Sequence, residues 1–83
     1  MVVESDSKLP RRIELGIYEE VVGEIKETKV VGEFLTILIK IAPRLLEVEF
    51  PRESLYGELP PPGSIVDLLR TRTDYRIKVE SDE

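Results

Sequence analysis

The sequence predicts a small all-β domain of five antiparallel strands, and three observations carry that reading. Apolar residues recur with a period of two along most of the chain, as on strands that bury one face. Prolines and glycines separate these runs at turn-like spacings. Only residues 15–25 offer a rival helical spacing, through Ile17, Val21 and Ile25. Their two glycines and β-branched valines oppose a helix.

The first strand is expected to be long. Ile13, Leu15, Ile17, Val21, Gly23 and Ile25 share one parity and form its inward face, and Gly16 and Gly23 let it bend. Leu35, Ile37, Ile39 and Ile41 face inward on the second strand, as do Leu46, Val48 and Phe50 on the third. The parity switch between these two demands an even loop. A four-residue turn, Ala42-Pro43-Arg44-Leu45, meets that demand and sets Lys40 opposite Glu47. Residues 51–57 open on a proline and close on a glycine, the pattern of a single helical turn. Residues 64–70 and 75–80 are the fourth and fifth strands. Leu69, Ile77 and Val79 share a parity, so Arg72-Thr73-Asp74 is read as an odd loop that brings Arg70 opposite Arg76.

Composition narrows the chemistry. His, Cys, Asn, Gln and Trp are absent from all 83 residues, while Asp, Glu, Lys and Arg make up 35%. There is no imidazole or thiol for acid–base work, nucleophilic attack, zinc binding or a disulfide. The carboxylates, Glu19, Glu20, Glu47 and Glu49 among them, sit in no calcium loop, phosphate loop or serine elbow. A non-enzymatic protein with no metal and no cofactor is expected. The loss of heat-labile side chains beside dense charge points to a thermophile.

Charge and hydropathy place the chain. The net charge of −5 comes from Glu4, Asp6, Glu80, Asp82 and Glu83, and the rest of the chain balances 12 acids against 12 bases. Residues 1–10 and 81–83 are read as acidic tails on a single domain over residues 11–80. No apolar run reaches membrane-spanning length and no signal-peptide pattern opens the chain, so no membrane partner and a cytoplasmic location are expected.

The order strand, strand, strand, helical turn, strand, strand resembles the OB-fold, a small five-stranded antiparallel barrel with a bent first strand and a helix between strands three and four. The resemblance covers most of residues 12–80 in topology and parity, without a sequence motif. An SH3-like barrel is the alternative. The composition is similar to that of archaeal-type hyperthermophile proteins.

Two surfaces are candidates for contact. Strand two is apolar on both sides: Phe34 and Leu38 oppose the core parity, as do Val22, Val66 and Leu68 on their own strands. A contiguous patch of this kind marks a protein interface, in a homodimer or a larger complex, unless residues 9–17, the Pro60–Pro62 loop or the helical turn covers it. The second surface is basic. Arg70, Arg72, Arg76 and Lys78 share a parity, and facing arginines call for an anion or for acids of this chain, such as Asp67, Asp74 or the tail of residues 80–83. The OB resemblance implies that this hairpin and the loop of residues 26–32, with Lys26 and Lys29, flank a single-stranded nucleic-acid site. Protein binding is the first functional expectation and nucleic-acid binding the alternative.

Overall fold

The alternating apolar residues build strands throughout the computed structural model of the protein, which describes residues 10–80. They are β1 (Arg11–Ile13), β2 (Glu20–Val31), β3 (Phe34–Ile41), β4 (Arg44–Pro51), β5 (Leu55–Tyr56), β6 (Ile65–Arg70) and β7 (Tyr75–Val79). A 3₁₀ turn, Arg52–Ser54, falls inside the predicted helical segment. The expected tails, apart from Pro10, lie outside the described residues. Among the described residues no helix is long and apolar enough to cross a membrane.

All seven strands share one mixed sheet, in the order β1-β4-β3-β2-β6-β7-β5. The expected five-stranded antiparallel arrangement is corrected by the two short strands. Each of these pairs parallel to its neighbour, β1 to β4 and β5 to β7. The sheet must curl. Laid flat, β4 and β5 would lie five strand spacings apart, roughly 24 Å. Only the 3₁₀ turn separates them in the chain, and the steps from Pro51 to Leu55 reach at most about 14 Å. Curling brings Phe50 of β4 onto Tyr75 of β7, with ring centroids 4.1 Å apart and planes 11° from parallel. Around this stack lies the core: Leu15, Val21, Ile25, Leu35, Ile37, Ile39, Val48, Val66 and Leu68.

The long bent strand is β2. Residues Glu20 to Glu24 pair with β6, and Glu24 to Val31 pair with β3, with a bulge between Ile25 and Glu27. At the change of partner, β3 passes directly over Gly23. A Cβ on Gly23 would stand 2.6 Å from Ile39 Cγ2 and 2.7 Å from the Lys40 carbonyl oxygen. Only a residue without a side chain fits there.

Four expectations are corrected. The first strand does not run unbroken from Ile13 to Ile25. It breaks after β1, and residues 16–19 form a turn in which Glu19 N–H donates to Gly16 O at 3.0 Å. Ile17 is therefore 54% exposed and not inward. The segment of residues 26–32 is mostly strand, and the turn it was expected to supply is only Gly32-Glu33, with Gly32 at φ 62°. Between β3 and β4 the loop is Ala42-Pro43, joined by a cis peptide, so Ile41 faces Arg44 and Leu38, not Lys40, faces Glu47. A slip of two residues preserves faces, which is why the inward parity of both strands survives.

The fourth correction matters most for function. The β6–β7 register is displaced by one residue from the expected one, so Arg70 faces Tyr75 and Leu69 faces Arg76. A one-residue slip exchanges the two faces of a strand. Val66 and Leu68, expected outside, are fully buried, and Leu69 lies outside and half-buried. The facing arginines dissolve with the old register. The turn chemistry explains the result: Thr71 N–H donates to Asp74 O at 2.8 Å. The Thr71 hydroxyl donates to Asp74 Oδ1 at 2.6 Å and accepts from Asp74 N–H at 3.0 Å. Thr71 and Asp74 thus face each other, and the loop is even.

Substituting Gly23→Ala is expected to destabilise the fold by about 1–3 kcal/mol through overpacking against backbone. Urea denaturation of both proteins checks this, and an unchanged midpoint would show that β3 does not press on Gly23.

Candidate functional site

The curl of the sheet opens a cleft at the β6–β7 hairpin end. It has a volume of about 420 Å³, and its lining includes Phe34, Pro51, Arg70, Arg72, Glu14 and Glu49. Its floor is the Phe50–Tyr75 stack. Phe34 opens β3 directly opposite Val31, and the two are 45% and 58% exposed. One candidate of the predicted protein interface therefore meets two of the predicted basic residues in a single cleft.

Arg70 is committed to the fold. Its guanidinium donates to the Leu15 carbonyl at 2.6 Å and lies over the Tyr75 ring at 5.7 Å. Its backbone carbonyl accepts from Tyr18 N–H, and its N–H donates to Glu19 O at 3.0 Å. Arg76 is held by Asp74 at 3.2 Å and lies 4.9 Å above the Tyr56 ring. Arg72 is exposed, and among the described residues it forms no ion pair. Glu49 pairs with Arg12 at 3.3 Å, and Glu47 with the same guanidinium at 3.7 Å. Three carboxylates (Glu14, Glu49 and Asp74) thus line the cleft against two guanidiniums.

The other predicted residues lie elsewhere. Lys26 sits at the β2 bulge beside Glu24, 3.7 Å away. Lys29 and half-buried Leu38 line a separate hollow of about 120 Å³ that Pro10 also borders. Val22 is exposed on the outer face of β2, opposite Asp67, and Lys78 faces Asp67 from β7. Val66 and Leu68 belong to the core.

Two features of this end escaped the sequence. One is the Thr71–Asp74 clasp. Its hydrogen bonds, the one from Thr71 first and the one from Arg76 after it, hold the Asp74 carboxyl below the usual carboxylate range. The other is the turn of residues 16–19, which thrusts Ile17 and Tyr18 into solvent, 54% and 63% exposed. Tyr18 lies at φ 66°, where a bulky L-residue is strained by about 1–3 kcal/mol. The turn is nonetheless pinned from several sides: Gly16 N–H donates to Glu19 Oε1 at 2.6 Å, and Arg70 grips Leu15, Tyr18 and Glu19. Gly16 was the one sequence signal for this turn.

Across the outer face of β2, β6 and β7, acids crowd together. Among the described residues, Asp67 Oδ1 is shut off from solvent and has no hydrogen-bond partner. Glu20 stands beside it, and its carboxyl is raised above the usual range. The hydrogen bond that its protonated form shares with Asp67 is the largest cause, the Asp67 charge comes second, and Glu80 adds to both. Among the described residues no group of three or more acidic, His or Cys side chains is arranged to hold a metal ion. No protein-family model, curated protein or solved structure matches the chain.

These two carboxyls tilt stability with pH in opposite senses. Glu20 binds its proton more tightly folded than unfolded, so its contribution is complete below the usual carboxylate range and is lost as pH rises through its raised value. Glu20→Gln is expected to raise the melting temperature at pH 7 and to lose that advantage in acid. Asp74 contributes above the usual range and loses its contribution as pH falls through its lowered value. Thr71→Ala is expected to move the Asp74 carboxyl back toward the usual range. Carbon-detected NMR titration of both side chains reads the two shifts, and an unmoved Asp74 would show that the Thr71 hydroxyl does not hold it.

Proposed function

We propose that this protein is a non-catalytic interaction module that binds a protein partner at the cleft beneath Phe34. The observation that carries the reading is exposed Phe34 on the lip of an aromatic-floored cleft, with exposed Val31 opposite it on β2. Exposed aromatics over a desolvated floor are the usual anchors of protein interfaces. Charge favours protein over nucleic acid. The cleft carries more carboxylates than guanidiniums, and Arg70 and Arg76 are spent on internal contacts. A backbone of phosphates asks for a net basic stripe. We read the curled sheet as OB-like, on the strength of the bent β2 and the 3₁₀ turn after β4. Fold likeness by itself assigns no ligand.

A photo-cross-linking residue at position 34 tests the reading in cells that express the protein. A discrete protein adduct is expected from position 34 and none from position 58, which is exposed away from the cleft. A parallel low-salt titration with single-stranded RNA and DNA decides the rival. Binding that falls steeply with salt and is lost in Arg72→Glu would replace the protein reading with nucleic-acid binding through Lys26, Lys29, Arg70, Arg72, Arg76 and Lys78.

A further inference from the structure

The strained turn and the cleft are neighbours on one end of the molecule, their shapes are complementary, and the cleft holds one guanidinium that can answer a carboxylate of the turn. The turn is convex: Ile17 and Tyr18 project from it, followed directly by the carboxylates Glu19 and Glu20. The cleft is concave: Phe34 stands on its lip, Phe50 and Tyr75 form its floor, and Arg72 is its one guanidinium without an ion pair or hydrogen bond among the described residues. Two of its carboxylates, Glu49 and Asp74, are already held by Arg12 and by Thr71 with Arg76. Arg70 joins the two features, since its side chain lines the cleft while its backbone holds the turn.

We propose that a second copy of this chain fills the cleft, with the Ile17–Tyr18 turn of each copy seated under Phe34 of the other. A convex and a concave element side by side on one surface are what a two-fold, self-complementary interface needs, because each then contacts its counterpart across the axis. Tyr18 is the anchor, an amphipathic ring of the kind that dominates interface energetics. Glu19 of one copy meets Arg72 of the other. The acids beside the turn repel a phosphate surface, so a membrane or a nucleic acid is disfavoured as its occupant. The positive φ at Tyr18 has a use in this arrangement: a left-handed residue at the turn tip aims both side chains outward, and the hydrogen bonds from Arg70 keep them aimed before association. The cleft in one copy is incomplete without the ring of the other.

The inference rests on the protein-binding reading above and names the partner. Sedimentation equilibrium of the full chain, up to about 1 mM, tests it. The wild type is expected to be a concentration-dependent dimer. Tyr18→Gly suits the left-handed backbone, so at dilutions where both are monomeric it is expected to melt at a higher temperature than the wild type, while weakening the dimer at least about tenfold. Phe34→Ala is expected to weaken it comparably from the cleft side. An equimolar mixture of the two variants discriminates further. The intact turn of the Phe34→Ala copy can enter the intact cleft of the Tyr18→Gly copy, so the mixture associates more tightly than either variant alone. A wild type that stays monomeric overturns the proposal, as does a dimer that persists in Tyr18→Gly or a mixture no tighter than its components. A monomer that still cross-links a different protein at position 34 removes the dimer and leaves the protein-binding reading intact. A monomer that cross-links nothing removes both.

Discussion

Everything in this fold passes over Gly23. One strand, β2, serves two partners, and the change from β6 to β3 happens where β3 crosses within 2.7 Å of the space a Cβ would occupy. That crossing makes the sheet curl, and the bulge beyond it, between Ile25 and Glu27, sharpens the bend. Curling has consequences at both ends of the chain order. It sets β4 close enough to β5 for a 3₁₀ turn to join them, and it lays Phe50 on Tyr75. Stacked aromatic pairs contribute about 0.5–1.5 kcal/mol beyond their buried area. In a domain with no cysteine for a disulfide to help a small core, that stack matters, and it is also the floor of the cleft. The site is thus a by-product of the same bend that makes the core.

Arg70 plays the complementary part at the open end. Parity carries it inward with Val66 and Leu68, but β6 ends there, so its guanidinium reaches the edge of the core and not its interior. There it finds the Leu15 carbonyl and the Tyr75 face. A chain segment that forms no strand, residues 14–19, is fixed in this way to the strand beside it. Charge-assisted hydrogen bonds to a carbonyl are stronger than neutral ones, and a planar guanidinium also lies well on an aromatic face. The same residue that sequence reasoning assigned to anion binding is therefore an organiser of the turn that displays Ile17 and Tyr18.

Much of this was legible in the sequence, and the errors share a cause. Period-two alternation located four of the five long strands and set the first too early, over residues 13–25 where β2 runs Glu20–Val31, and the proline and glycine of residues 51–57 located the 3₁₀ turn. Inward faces on β3 and β4 survived a wrong loop length because a slip of two residues changes no face. On β6 the alternation was ambiguous, since Ile65, Val66, Leu68 and Leu69 are all apolar. Registering the hairpin on Leu69 chose the wrong face. The information that decides it lies in the Thr71 hydroxyl and the Asp74 carboxyl, a local clasp that periodicity does not see. The parallel strands β1 and β5 were invisible for a similar reason: three and two residues are too few to alternate. Of the candidate site, Phe34, Arg70 and Arg72 were named beforehand but on separate surfaces. Only the curl unites them.

The distribution of charge then separates the surfaces by use. Arg12 is answered by Glu47 and Glu49, Lys26 by Glu24, and Arg76 by Asp74, all on exposed faces where each pair contributes little to stability. Their effect is chiefly to cancel charge locally, which limits non-specific attraction at those faces. At one end of the molecule Arg72, which forms no ion pair among the described residues, lies near the exposed apolar pair Ile17 and Tyr18. A strained left-handed tyrosine is a local conflict between backbone preference and fold, and such conflicts persist where the surrounding structure over-determines them. Here Arg70, Glu19 and Gly16 do so together. Glycine at position 18 would relieve the strain and keep the turn, so stability alone gives no reason for a tyrosine there. Display of its ring does.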